Sequence, residues 1–330
     1  MPIPFLLAGA AILSVGLGAT GHSMAKETNE EAEEKIIEAQ ELYDSSKKNL
    51  EEAQETTKEA LYTLGYAKKD VLEGTLHRFW NVYKRFQKFK VNQSKGLNEL
   101  SKFSMSSQER RELEELSSVY ATAISTGAAT TGALMAFAAT GAIPTIGTGA
   151  MLTTIGGGAL ATGGIGAGIL VSSVITPLAF VAPPAIFVSG IAASMKADEN
   201  LEKAKKALAE AKEASEKMKT SQMLCEAITK RTNMFYELLI SLEIVLENFT
   251  YKMEDLLDEL EGGGYNTIKI DEDDLTDREV EMVMVAASLA HSVKQIIDTP
   301  ILTEKGDLSS ESLTVYSKAK NKLEKSYDVI

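Results

Sequence analysis

The sequence predicts an all-α protein: long antiparallel coiled-coil arms flanking a glycine-rich hydrophobic helical hairpin, with short C-terminal helices. Three observations predict it. Lys, Arg, Asp and Glu are absent from residues 1–25 and from 116–195, so all formal charge crowds into the remainder. The charged stretches on either side of the central gap repeat large and small apolar residues every seven positions. None of the 7 prolines falls within 30–90 or 196–261, so nothing in those stretches breaks a helix. The same composition shifts divide the chain into an N-terminal hydrophobic helix (1–25), a first arm (26–115), a membrane-active hairpin (116–195), a second arm (196–261) and an acidic linker with C-terminal helices (262–330).

With 330 residues the chain is long enough to bury a substantial core. Its net charge of −13 would repel a phosphate backbone and argues against nucleic acid as a partner. Cys225 is the single cysteine, which excludes an internal disulfide framework.

Residues 2–20 are apolar, and Ser23-Met24-Ala25 would suit a signal-peptidase cut. A secretory signal normally opens with basic residues, and none is present, so a retained membrane or hairpin-packing helix is the favoured reading. In the first arm one row reads Ile36, Tyr43, Leu50, Thr57, Leu64, Val71, and the row three residues on reads Ala39, Ser46, Ala53, Ala60, Ala67, Gly74. Large side chains alternating with small ones describe a seam in which another backbone can come close. The second arm repeats the device with Ala197, Ala204 and Ala211 against Leu201, Leu208 and Ser215, then coarsens through Met218 to Phe235, Leu239, Leu242, Leu246, Phe249 and Met253. Two such helices joined by a long insert are expected to fold back antiparallel.

The uncharged segment is long enough for two or three helices of about 20 residues, with breaks at Gly141-Ala142-Ile143-Pro144, Gly156-Gly157-Gly158, Pro177 and Pro183-Pro184. It is a weak lipid-facing span. Over 119–140 the few large apolar residues, among them Leu134 and Phe137, would favour insertion by only ~2 kcal/mol, at about 0.3–0.6 kcal/mol each. Insertion therefore depends on helix association, for which Gly158, Thr162, Gly164, Gly166 and Gly168 provide small-residue rows. The richer half carries Ile165, Ile169, Leu170, Val174, Ile175, Leu178, Phe180, Ile186 and Phe187, and these with Leu134 and Phe137 are the candidate insertion residues. Constitutive membrane spanning and storage in water followed by insertion are the two leading expectations, and permanent burial in a soluble bundle competes with both.

One stretch of this acidic chain is basic and aromatic. Arg78, Trp80, Tyr83, Lys84, Arg85 and Lys88 suit an anionic lipid surface; alternatively Phe79, Tyr83 and Phe86 form a core stripe beneath a solvated basic face. Beyond the second arm, Gly262-Gly263-Gly264 stops the helix. A helix is expected over 277–297 with Val280, Val283, Ala287, Ala290 and Val293 on one face, then a loop bounded by Pro300 and Gly306, then a helix over 310–327 through Leu313, Tyr316 and Leu323. Chemistry finds little foothold. No Gly-x4-Gly-Lys-Ser/Thr loop occurs, Asp271-Glu272-Asp273-Asp274 lacks calcium-loop spacing, and His22, His77 and His291 are scattered singly. No catalytic residue, metal or cofactor is assigned.

The opening Met1-Pro2-Ile3-Pro4, the Glu/Ala/Lys-rich arm, the run GGGALATGGIGAG at 156–168 and the return arm from Lys196 resemble a group of uncharacterised bacterial proteins of this plan, over about residues 1–260. The layout is more distantly similar to apolipoprotein L and to helical pore-forming toxins of the haemolysin E type, although the uncharged segment here is much longer than a haemolysin E-type hairpin. The resemblance implies a bacterial protein that is membrane-associated with a soluble latent form. The expected function is a membrane-inserting helical protein whose oligomers could line a pore, with the lipid bilayer and further copies or other proteins as partners. The alternative is a non-pore, membrane-tethered coiled-coil scaffold.

Overall fold

The computed structural model describes residues 21–86, 111, 131–141, 197–261, 270, 274–303 and 306–327. Among them the protein is all-helical, and the one β feature is an isolated antiparallel bridge between Leu302 and Leu308. Helix α1 (Gly21–Val71) continues through a π-helical turn (Leu72–Leu76) into α2 (His77–Tyr83) and a short 3-10 turn (Lys84–Phe86). Helix α3 (Thr131–Thr140) belongs to the uncharged segment; α4 (Ala197–Glu261), α5 (Asp277–Asp298) and α6 (Ser310–Ser326) complete the order. The chain divides into two compact units, Met1–Gln54 with Leu178–Cys225 and Glu55–Pro177 with Glu226–Ile330.

In the first unit α1 and α4 meet through small side chains. Ala39 lies with Leu208 and Ala211, and Tyr43 and Leu50 with Ala214 and Met218. On α4, Asn200, Ala204, Ala207, Ala211, Ala214, Met218, Ser221 and Cys225 are all buried, in two rows of seven-residue period. Ala197 and Leu201, expected in the seam, are only half-buried. Polar pairs cross the seam: Asn200 Nδ2 donates to Asn29 Oδ1 at 3.2 Å, and the Ser46 and Ser215 hydroxyls share a hydrogen at 2.7 Å. Lys212 reaches Glu38 at 3.8 Å, an exposed pair worth little in water.

These pairs correct the expected direction. Asn29 and Asn200 are 171 residues apart and Ser46 and Ser215 are 169 apart, so the separation barely changes along the seam. An antiparallel pair would have a constant sum of residue numbers; a constant difference means the helices run parallel. The second unit repeats the pattern, with Thr57 and Thr229 hydroxyls at 2.9 Å (172 apart), Thr75 on Glu243 (168 apart) and Arg78 on Glu254 (176 apart). A short connection forces antiparallel neighbours, but a long one leaves direction free, because it can return the chain to where the first helix began. Residues 87–196 are such a connection.

In the second unit the side chains are larger. Leu61, Leu64 and Val71 of α1 and Ile228, Phe235, Leu239, Leu242, Leu246, Phe249 and Met253 of α4 are buried, each side chain of this size contributing roughly 1.5–3 kcal/mol. The π turn shifts the rhythm of the first arm. Seven-residue spacing would continue Ala67 to Gly74 and Val71 to Arg78, yet Gly74 is exposed and Arg78 half-exposed, while Thr75 and Phe79 are buried. A π turn holds one extra residue, so every inward position beyond it moves on by one.

Helix α5 starts at a full capping box, in which the Thr276 hydroxyl and Glu279 carboxylate satisfy each other's backbone N–H groups. The expected face of Val280, Val283, Ala287, Ala290 and Val293 is buried, and so are Met284, Val285, Ala286 and Leu289 on other sides, which makes α5 a central helix. It is long and apolar enough to cross a membrane, and 78% of its apolar window is buried inside the protein. α6 packs on α5. Its inward residues are Ser312, Ala319, Leu323 and Ser326; Leu313 is exposed, and the Arg231 guanidinium donates to the buried Ser312 hydroxyl at 2.5 Å.

Candidate functional site: the dock of the uncharged segment

The described part of the uncharged segment, α3, is seated inside the second unit. Its sequence TGALMAFAAT has no charge and few large side chains, and Leu134, Ala136, Phe137, Ala138 and Ala139 are buried. Such a helix has little to interlock with, so close approach of backbones must replace side-chain packing. Gly65 of α1 provides one approach: a Cβ there would fall on the Leu134 carbonyl. Gly141 provides the other. It ends α3 with φ +68°, its N–H bonds to Phe137 O at 3.0 Å, and a Cβ on it would fall on the Asp298 carbonyl at the end of α5. Leu302 N–H then donates to Ala139 O at 3.0 Å, tying the segment after α5 to the last turn of α3.

Lys68 lies at the centre of this junction. It is fully buried, and its Nζ donates to Ala138 O and to Thr299 O, each at 3.4 Å, with the Phe137 ring centroid 5.6 Å away. Both carbonyls belong to helix C-terminal ends, where backbone oxygens lack helical partners and carry the negative end of the helix dipole. That arrangement suits a cation, but the two bonds are long and no carboxylate among the described residues touches the amine. Removal from water therefore dominates and pushes the Lys68 amine down to about 7, while the charge of Asp298 pulls the other way. Asp298 is itself bonded to Lys294.

No protein-family model, curated protein or solved structure matches this chain. The dock must therefore be read from its own chemistry. It has the composition of a seat for an apolar helix, since every group that α3 presents is backbone or hydrocarbon apart from hydroxyls such as Thr140, which bonds back to Ala136 O.

Of the candidate insertion residues, Leu134 and Phe137 lie in the dock, 3% and 2% exposed. Ile165, Ile169, Leu170, Val174, Ile175, Leu178, Phe180, Ile186 and Phe187 lie outside the described residues, as do Gly158, Thr162, Gly164, Gly166, Gly168 and Lys88. The basic aromatic stretch is turned inwards more than its composition suggests. Phe79, Tyr83 and Phe86 are buried, with Phe79 and Tyr83 stacked at 5.3 Å, which is the core stripe. Arg78 donates through Nε and Nη2 to Glu254 at 2.9 and 2.5 Å and lies 3.8 Å from the Tyr251 ring. Arg78 thus holds α2 to α4. Trp80 is partly exposed and Lys84 is exposed, so among these described residues these two can face a surface, while Nε and Nη2 of Arg85 are buried.

Sequence reasoning missed Lys68 and Gly65. The signal was present: Lys68 lies between Leu64 and Val71 on the inward face of α1, where a solvated lysine would break the pattern.

Proposed function

We propose that this chain is a membrane-inserting helical protein that stores its uncharged segment against its own arms in water and transfers it to a bilayer. The observation that carries this reading is the dock. A helix from a segment without charge is held by bare backbone approaches and by a lysine taken out of water, which is a costly way to bury a helix for good. The segment is too apolar for water and too rich in small residues to stand alone in lipid, so it suits exchange between two hiding places. In this reading the arms form a parallel coiled coil with further copies as partners, the protein is a soluble latent form before insertion and membrane-associated after it, and an oligomeric pore is its fullest expression.

The second reading, a membrane-tethered scaffold without a pore, draws on apolar residues left exposed on α4, where Ile244 is 62% and Leu260 41% exposed. Dye-loaded vesicles of phosphatidylcholine and phosphatidylglycerol separate the two. Purified full-length chain is expected to float with the vesicles and release the dye. Flotation without release would leave the scaffold, and failure to float would remove both.

A further inference from the structure

Three features of the second unit meet at one nitrogen atom. The Lys68 amine has no exposure, its two partners are carbonyls at the ends of α3 and α5, and both glycines that admit α3 lie within one helical turn of those contacts. Among the described residues, the charge that acts on this amine is that of Asp298, and His291, also fully buried, is a further titratable side chain of α5. α3 has no Lys, Arg, His, Asp or Glu. On α5 the facing groups are Asp298 and its partner Lys294. On α1, Lys69 turns to Glu73 and Asp70 is exposed; on α4 the buried residues along this stretch are Phe235, Leu238, Leu239 and Leu242; in the segment after α5, Asp307 is exposed.

We propose that Lys68 is the release point of the dock: α3 is seated over the neutral amine, and a proton on that amine favours its departure. This rests on the reading of α3 as a stored helix, and it names the group that governs how firmly the helix is stored. A protonated lysine between two long hydrogen bonds lacks the solvation it would regain once α3 leaves. The sign follows from the direction of the shift. The closed dock holds the amine at about 7, below its ordinary 10.5, so the closed state binds fewer protons than the open one between those values. Closure therefore strengthens as pH rises from 7, by up to about tenfold per pH unit, and gains or loses nothing further from this group once pH is well below 7. Contact with an anionic bilayer, which concentrates protons at its surface, pushes in the releasing direction.

Amide hydrogen exchange in solution tests this without any membrane. The reporter is Leu302 N–H, whose acceptor is Ala139 O across the dock. Intrinsic exchange rises in proportion to hydroxide, so a dock that closes more tightly with pH should cancel that rise between pH 7 and 9. The expected result is a nearly flat profile for Leu302, with amides in α6 climbing with hydroxide as usual. Lys68→Met should slow Leu302 exchange at pH 7 at least tenfold and restore the hydroxide dependence, whereas Lys68→Arg, which stays charged, should hasten exchange with the same restored dependence. A native Leu302 profile that climbs like its α6 neighbours overturns the proposal, even if Lys68→Met fails to fold. A flat profile in a chain that never releases dye would keep the dock and remove the membrane reading.

Discussion

The first and second units use the same two helices and one seven-residue rhythm, yet their seams are built from different side chains. Along α4 the inward residues are Asn200, Ala204, Ala207, Ala211 and Ala214 in the first unit, and Phe235, Leu239, Leu242, Leu246 and Phe249 in the second. The alanine seam buries little apolar surface per residue and relies on register, which polar pairs such as Asn29–Asn200 and Ser46–Ser215 define. The leucine and phenylalanine seam carries the larger hydrophobic contribution and accommodates α3, α5 and α6 as well. Period alone, then, does not tell how strongly a helix pair holds; side-chain volume decides that.

The comparison can be broken from its strong side first. Phe249→Ala, at a fully enclosed position of the second unit, should lower stability by about 3–5 kcal/mol in urea unfolding. Ala211→Leu attacks the narrow seam by overfilling it and should cost about 1–3 kcal/mol. Its effect should be lost amide protection near Ala39, with Leu242 and Leu246 amides unchanged; equal loss in both would show that the units do not open separately. The smallest effect tests register. Ser46→Ala should cost about 1 kcal/mol, and adding Ser215→Ala should cost almost nothing more, since the pair is then removed whole.

Much of the architecture was legible because it follows from local pattern. The second long helix, the helix at 277–297, the loop with Gly306 and the last helix stand within a residue or two of where periodicity, glycines and prolines put them, whereas the first long helix begins at Gly21, about nine residues before its expected start. Three things were not legible, each for a physical reason. Direction was missed because a heptad row looks the same whichever way its partner runs. The π turn was missed because Leu72–Leu76 contains no proline and its Gly74 continued the row of small residues, so only the inward positions beyond it reveal the one-residue shift. The dock was missed because a lysine among charged neighbours reads as solvent-facing unless its place on the helix is tracked residue by residue. The inward turn of Arg78 belongs to the same class, since a basic residue suits a lipid surface and a salt-bridged helix contact equally well, while the buried Tyr83 follows the alternative of a core stripe with Phe79 and Phe86.

The near-constant spacing of the cross-seam pairs has a consequence during synthesis. Ser46 waits for Ser215 and Thr57 for Thr229, partners 169 and 172 residues downstream. At about 5–20 residues per second, α1 is out of the ribosome for roughly 10–30 s before its complement exists. Throughout that interval the uncharged stretch is also being extruded, so a nascent chain presents its apolar row and its greasiest portion together. A chaperone or a bilayer that meets the polypeptide in that window competes directly with α4.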